Sequence, residues 1–173
     1  MNFNQNKKKW IVLYTKHRYE KLIEKELSKN GVEVYLPILK ERRKWSDRKK
    51  WIERPLFRSY IFVKIELKDI LFVVQTIGII KVIKFSSEIA IVRDSSIKAI
   101  KLMLEGGYRL DPTDYFIKGD PVEVKEGPLK GIIGEVIRID QKDKLLVRVS
   151  AIKHSIAVQI NRGYLKLIKN PQT

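Results

Sequence analysis

The sequence has no cysteine and only two histidines, His17 and His154, far apart in the chain. Without thiols there are no disulfides, no thiolate catalysis, no zinc ribbon and no iron–sulfur ligation, so the expectation is an intracellular, cytoplasmic protein. Long apolar runs are also missing. No stretch reaches the roughly 18 uncharged residues of a membrane helix, and the basic N-terminus MNFNQNKKKW leads into no apolar segment of the kind a secretory signal carries. Acidic residues are scarce too: 20 Asp+Glu against 36 Lys+Arg leave a net charge of +16 and a pI near 9.9. That is the sign expected of a polyanion's partner, although a merely solvated basic surface is the plain alternative. The surplus is uneven. Residues 1–110 carry 25 basic and 12 acidic side chains, a net +13, and residues 111–173 carry 11 and 8, a net +3. At 173 residues the chain suits one domain or two small ones.

Periodicity organises what is present. Trp10–Thr15 is a β-branched and aromatic run, followed by Tyr19, Leu22, Ile23 and Leu27 at helical spacing up to Asn30-Gly31. Val32–Leu39 reads as a strand bent at Pro37, and Ser59–Ile65 as a buried one. Between them, residues 40–58 hold nine basic and three acidic residues, a protruding arm. A hairpin looping through Ser46–Lys50 would set Trp45 opposite Trp51. Leu67, Ile70, Leu71 and Val74 predict a second helix ending near Gly78, and Ile79–Phe85 with Glu88–Val92 a hairpin. Asp94 or Ser95 would cap a third helix with Ile97, Ile100, Met103 and Leu104 on its apolar face. GGYRLDPTD, from Gly106, reads as a linker. Beyond it, Pro121–Lys125, Gly131–Asp140, Leu145–Ala151, Ser155–Ile160 and Tyr164–Ile168 predict five short strands, enough for a small barrel. The expectation is an α+β protein with domains at 1–106 and 117–173 joined by a linker at 107–116.

Gly119-Asp120-Pro121-Val122-Glu123-Val124, Gly127-Pro128-Leu129-Lys130-Gly131 and Gly134-Glu135-Val136 together resemble a KOW motif, found in SH3-like barrels. With that in place, three N-terminal pieces resemble the NusG N-terminal (NGN) domain, an antiparallel sheet flanked by helices. These are Lys9-Trp10-Ile11-Val12-Leu13-Tyr14, Pro55-Leu56-Phe57-Arg58-Ser59-Tyr60-Ile61-Phe62-Val63 and Thr76-Ile77-Gly78-Ile79. All four pieces follow the order of NusG-type elongation factors. The arm, Arg43-Lys44-Trp45-Ser46-Asp47-Arg48-Lys49-Lys50-Trp51, and Ile152-Lys153-His154-Ser155 look like the RfaH and capsule-operon antiterminator branch.

The resemblance implies a monomeric factor without enzymatic activity or cofactor, which clamps RNA polymerase and suppresses pausing or termination in long, polysaccharide-type operons. It implies that Tyr14, Phe57, Tyr60 and Ile79 meet the β′ clamp helices, aromatic side chains suiting the task because they bury large area at low entropic cost. Lys16, His17 and Arg18 after the first strand, with Thr76, match positions that touch non-template DNA, where each cation would neutralise a phosphate. Arg43, Lys44, Arg48, Lys49 and Lys50 would contact upstream DNA or the polymerase surface; their tryptophans would stack on bases or staple the hairpin. Leu129 and Lys130 match the loop that meets ribosomal protein S10 or termination factor Rho. Two departures weaken the RfaH likeness: Asp69-Ile70-Leu71 replaces the branch's histidine-threonine-threonine, and Arg54 stands where an acidic residue masks the C-terminal domain. With the β-branched content of Ile132–Val149, the latter predicts a stable barrel and no fold switch.

An RNA- or ribosome-binding KOW protein that does not act on polymerase is the competing class. A nuclease has no support, because Glu41, Asp47 and Glu53 are evenly spaced among cations like a salt-bridged surface, not clustered as metal-dependent cleavage requires.

Overall fold

Alternation of apolar residues at period two builds both halves of the molecule. The computed structural model describes residues 7–44, 49–85, 87–108, 110–113, 119–139 and 142–168. Its contacts divide the chain into two units, Met1–Val92 and Arg93–Thr173.

The first unit runs β1 (Lys9–Thr15), α1 (Glu20–Lys29), β2 (Glu33–Tyr35), β3 (Ile38–Lys44), β4 (Lys49–Pro55), β5 (Tyr60–Ile65), α2 (Ile70–Val74), β6 (Ile79–Val82), β7 (Lys84–Phe85), β8 (Glu88–Ile89) and β9 (Ile91–Val92). The main sheet has the order β2-β5-β1-β6, with β9 also pairing β1, all antiparallel. In register, Ile11 meets Val63 and Leu13 meets Ile61. These four side chains face Ile23 and Leu27 of α1 and Val73 of α2 in one core cluster. Each such buried aliphatic contributes about 1.5–3 kcal/mol. Helix α1 stops at Asn30, whose side-chain amide donates to the Glu26 carbonyl, before Gly31 turns left-handed at φ 75°.

Several expectations shift. On α1 only Ile23 and Leu27 of the proposed stripe are buried, and Leu22 is exposed. In α2, Val73 takes the buried position and Leu71 is 73% exposed, because a 3-10 turn at Leu67–Asp69 rotates the short helix. The Val32–Leu39 strand is broken at Leu36-Pro37 into β2 and β3. The basic arm is a hairpin, β3 with β4, but Lys44 pairs with Lys49 and Arg42 with Trp51. Trp51 therefore does not oppose Trp45, which lies outside the described residues. At the base of the arm Arg54 donates to both carboxylate oxygens of Glu41, and Lys21 of α1 bonds Glu53 at 3.0 Å.

The second unit comprises α3 (Asp94–Glu105), β10 (Leu110–Thr113), β11 (Asp120–Val124), β12 (Ile133–Ile139), β13 (Lys142–Val149), β14 (His154–Gln159) and β15 (Leu165–Leu167). Its antiparallel sheet has the order β10-β14-β13-β12-β11-β15. The five expected strands are present with a sixth, because Leu110–Thr113, placed in the expected linker, pairs with β14. Helix α3 buries Ile97, Ile100 and Met103 and packs on β13, and its contacts group it with the second unit. Neither Asp94 nor Ser95 caps it; Arg93 is the N-cap residue, with no side-chain cap bond. Gly134 lets β12 and β13 approach closely, since a Cβ there would lie 2.4 Å from the Leu146 carbonyl oxygen.

Candidate functional site

The face of the first sheet opposite the helices is aromatic, and strand register explains why. Trp10, Val12 and Tyr14 of β1 alternate with the core residues, and they stand opposite Lys64, Phe62 and Tyr60 of β5. The rings touch in sequence. Trp10 meets Tyr35 edge-on at 6.5 Å between centroids, Tyr35 meets Phe62 at 6.2 Å, and Phe57 meets Phe62 at 6.0 Å. Tyr14 and Tyr60 pair at 5.4 Å. Two ammonium groups approach this face, Lys64 at 5.7 Å from the Trp10 ring and Lys81 at 5.9 Å from Tyr14. Such cation–ring contacts contribute about 0.5–1 kcal/mol when exposed. Burial raises the Tyr60 hydroxyl above its ordinary pKa, and neighbouring Tyr14 acts in the same direction.

At the end of β1 the chain ends converge. The Lys16 N–H donates to the Gly78 carbonyl at 2.8 Å, the Thr15 N–H to the Ser59 carbonyl at 2.9 Å, and the Tyr19 N–H back to the Lys16 carbonyl at 3.2 Å. Thr76 lies in the same Gly78 turn, its carbonyl accepting from Ile79. Gly78 is left-handed at φ 97°, and a Cβ there would meet the Tyr19 ring at 2.4 Å. The Lys16 ammonium lies 6.0 Å from that ring, and Lys16, His17 and Arg18 are exposed. Lys16 and Arg18 thus share one corner with Thr76 from a distant segment.

The candidate residues fare differently. Tyr14 and Tyr60 are half-buried. Phe57 is only 2% exposed: its ring supports Phe62 instead of offering itself to a partner. Ile79 packs against the helix-side core, because it pairs with Thr15 where the β1–β6 register shifts, away from the aromatic face. Trp10 is buried. In the arm, Arg43 stands opposite Lys50 and Lys44 opposite Lys49. Arg48 lies outside the described residues, as do the side chains of those four. In the second unit Leu129 is 2% exposed, an interior residue under the Gly127–Gly131 turn, and Lys130 is exposed.

Some contributors were not singled out from the sequence. Lys64 and Lys81 reach the aromatic face, and Glu20, 3% exposed, accepts the Ser59 N–H at 2.8 Å. The i, i+2, i+4 spacing of Tyr60, Phe62 and Lys64 signals a shared face. Nothing local marks Glu20, which reads as an ordinary charge in the first turn of a helix. Among the described residues no group of three or more His, Asp or Glu side chains could hold a metal ion, and no helix is long and apolar enough to cross a membrane.

Comparison with known proteins adds identity to this geometry. The family described as "Transcription termination factor nusG" matches residues 8–101, more than half of the chain. The transcription termination/antitermination protein NusG of Borreliella burgdorferi is 26% identical over 181 residues, covering 92% of this chain and 98% of that protein. The solved structure "Domain interaction in Thermotoga maritima NusG" superposes with a TM-score of 0.51 at 23% identity, covering 96% of this chain and 100% of that one. That last likeness concerns the fold.

Proposed function

Since the chain belongs to the NusG family of transcription termination and antitermination factors, we propose that it binds RNA polymerase and the non-template DNA strand and suppresses pausing or termination. The observation that carries this reading is the adjacency of two unlike surfaces at one end of the first sheet. The half-buried Tyr14–Tyr60 pair, with Lys81 beside it, suits an apolar helical tip such as the β′ clamp helices. The Lys16–Arg18 turn, bonded to the Gly78 turn that holds Thr76, suits the phosphates of an extruded strand. Phe57 packs on the buried Phe62, and Ile79 packs against the helix-side core.

The arm supports a role as a specialised, RfaH-like member serving long polysaccharide-type operons. Residues 40–58 hold nine basic and three acidic residues, a charge that suits contact with a polyanion or an acidic surface. The second unit supports a KOW assignment through the Gly127–Gly131 turn and its short strands. With Leu129 interior, a partner such as ribosomal protein S10 or Rho would meet Lys130 and the exposed Ile133 at the start of β12.

Retention on polymerase core, compared between the wild-type chain and Tyr14→Ala or Tyr60→Ala, tests the reading. Weakened retention by both is expected. Unchanged retention with persistent RNA binding would overturn it in favour of a KOW-type RNA-binding protein.

A further inference from the structure

Among the described residues only three non-glycine positions have positive φ: Arg18 at 68°, Ser59 at 63° and Lys153 at 51°. Arg18 and Ser59, with Gly78 at 97°, lie around the end of β1. Residues with a Cβ avoid this conformation unless surrounding structure holds them in it. At Ser59 the holding group is visible: the Glu20 carboxylate accepts the Ser59 N–H at 2.8 Å across 39 positions of sequence. Glutamate is rarely this deeply buried without a structural duty. A second tie, from the Thr15 N–H to the Ser59 carbonyl, fixes the other side of the same peptide group's residue.

The residue that this latch presents is Arg58. It directly precedes Ser59, is exposed, and has no ion-pair partner among the described residues. Because Tyr14 pairs with Tyr60 in antiparallel register, Arg58 and Lys16 each lie two residues beyond that pair, on neighbouring chain ends. Two exposed basic segments, Lys16–Arg18 and Arg58, thus flank the Thr15–Ser59 backbone bond, Arg58 lying in the Phe57–Tyr60 turn that the Tyr60 N–H closes on the Phe57 carbonyl at 3.3 Å.

We propose that Arg58 contacts phosphate of single-stranded nucleic acid in this corner, and that Glu20 is the positioning residue that holds it beside Lys16. This rests on the reading above that Lys16–Arg18 contact the non-template strand. A strand gripped from two chain segments is held in a defined direction, which a single basic turn does not achieve.

Fluorescence anisotropy of the full chain with a labelled single-stranded DNA of about a dozen nucleotides, read across salt, tests it. Each phosphate contact on a single strand contributes about 0.7 to the slope of log affinity against log salt. Arg58→Ala is expected to lower the slope by about that amount and to weaken low-salt binding several-fold, with thermal unfolding unchanged. Glu20→Ala lowers the slope similarly, and Glu20→Gln, whose amide oxygen still accepts the Ser59 N–H, restores it. Should Glu20→Ala fail to fold, Glu20→Asp decides: it keeps a carboxylate but is one methylene shorter, so it no longer reaches the Ser59 N–H and is expected to lose part of the slope. Wild-type slope in Arg58→Ala, with a reduced slope in Lys16→Ala, overturns the role of Arg58 alone. Wild-type slope in both overturns the corner as a nucleic-acid site. Wild-type slope in Glu20→Ala, or in Glu20→Asp if that variant must decide, overturns the positioning role of Glu20.

Discussion

The two units use the same device to different ends. In each, a glutamate accepts the backbone N–H of a residue distant in sequence: Glu20 takes Ser59 in the first, and Glu135 takes Gly119 in the second. In the second unit the carboxylate is also gripped by Arg148 through two guanidinium nitrogens, so charge is satisfied within the sheet. In the first, the neighbouring cations Lys16, Arg18 and Arg58 are exposed to solvent. The totals agree. Met1–Val92 holds 21 basic and 10 acidic residues, a net +11, against 15 and 10, a net +5, for Arg93–Thr173. Unspent positive charge beside a ring-lined face is what the proposed binding surface requires; charge paired across strands is satisfied within the sheet.

The contrast can be broken most sharply at Phe57. Truncating this buried ring removes both its own burial and the support of Phe62, so Phe57→Ala is expected to cost about 3–5 kcal/mol. Hydrogen exchange resolved by segment should show faster exchange in β1 and β5 and unchanged exchange in β12–β14; uniform acceleration would mean that the units do not unfold separately. Gly134→Ala should do the reverse. Its Cβ meets backbone and not a flexible side chain, so about 1–3 kcal/mol should be lost from β12 and β13 alone.

A smaller effect is expected from the half-buried ring of Tyr14. Tyr14→Ala should weaken polymerase binding about tenfold or more while leaving urea unfolding nearly unchanged, and Tyr14→Phe should bind almost normally, because ring area carries the contact. Equal losses in stability and binding would instead make Tyr14 a core residue like Trp10.

The smallest effect concerns pH. The Arg148 hydrogen bond holds the Glu135 carboxyl below its ordinary pKa; partial burial opposes this, and the Gly119 N–H and the Arg148 charge reinforce it. A carboxylate lowered on folding contributes stability above its unfolded pKa, about 4.3, and loses it as pH falls through the lower folded value. The urea midpoint of the second unit should therefore drop on acidification below about pH 5. Glu135→Gln should start less stable and flatten that dependence.

Much of the architecture was legible from spacing. Alternation in Trp10–Thr15 and Tyr60–Ile65, glycine and proline punctuation, and the five short strands of the second half are local signals, and local sterics decide them. What escaped was longer in range. That Leu71 is exposed and Val73 buried follows from a 3-10 turn no periodicity shows. The register that faces Trp51 with Arg42 follows from where the hairpin turns, and a small change in loop placement moves every pair. Leu110–Thr113 looked like linker because it contains Asp111 and Pro112, yet an edge strand tolerates proline.

For the candidate site the division falls between side-chain type and side-chain access. The candidate aromatics and cations could be named from the chain alone, because residue chemistry and strand period are local properties. Whether Phe57, Ile79 and Leu129 meet a partner or the interior was decided only by packing, since burial depends on which distant segments close over each face. The same holds for Glu20, an ordinary helix residue until Ser59 is brought to it across 39 positions. The amino acids themselves settled the charge surplus, the two-part plan and the period-two faces; three-dimensional closure settled which of those faces remained open.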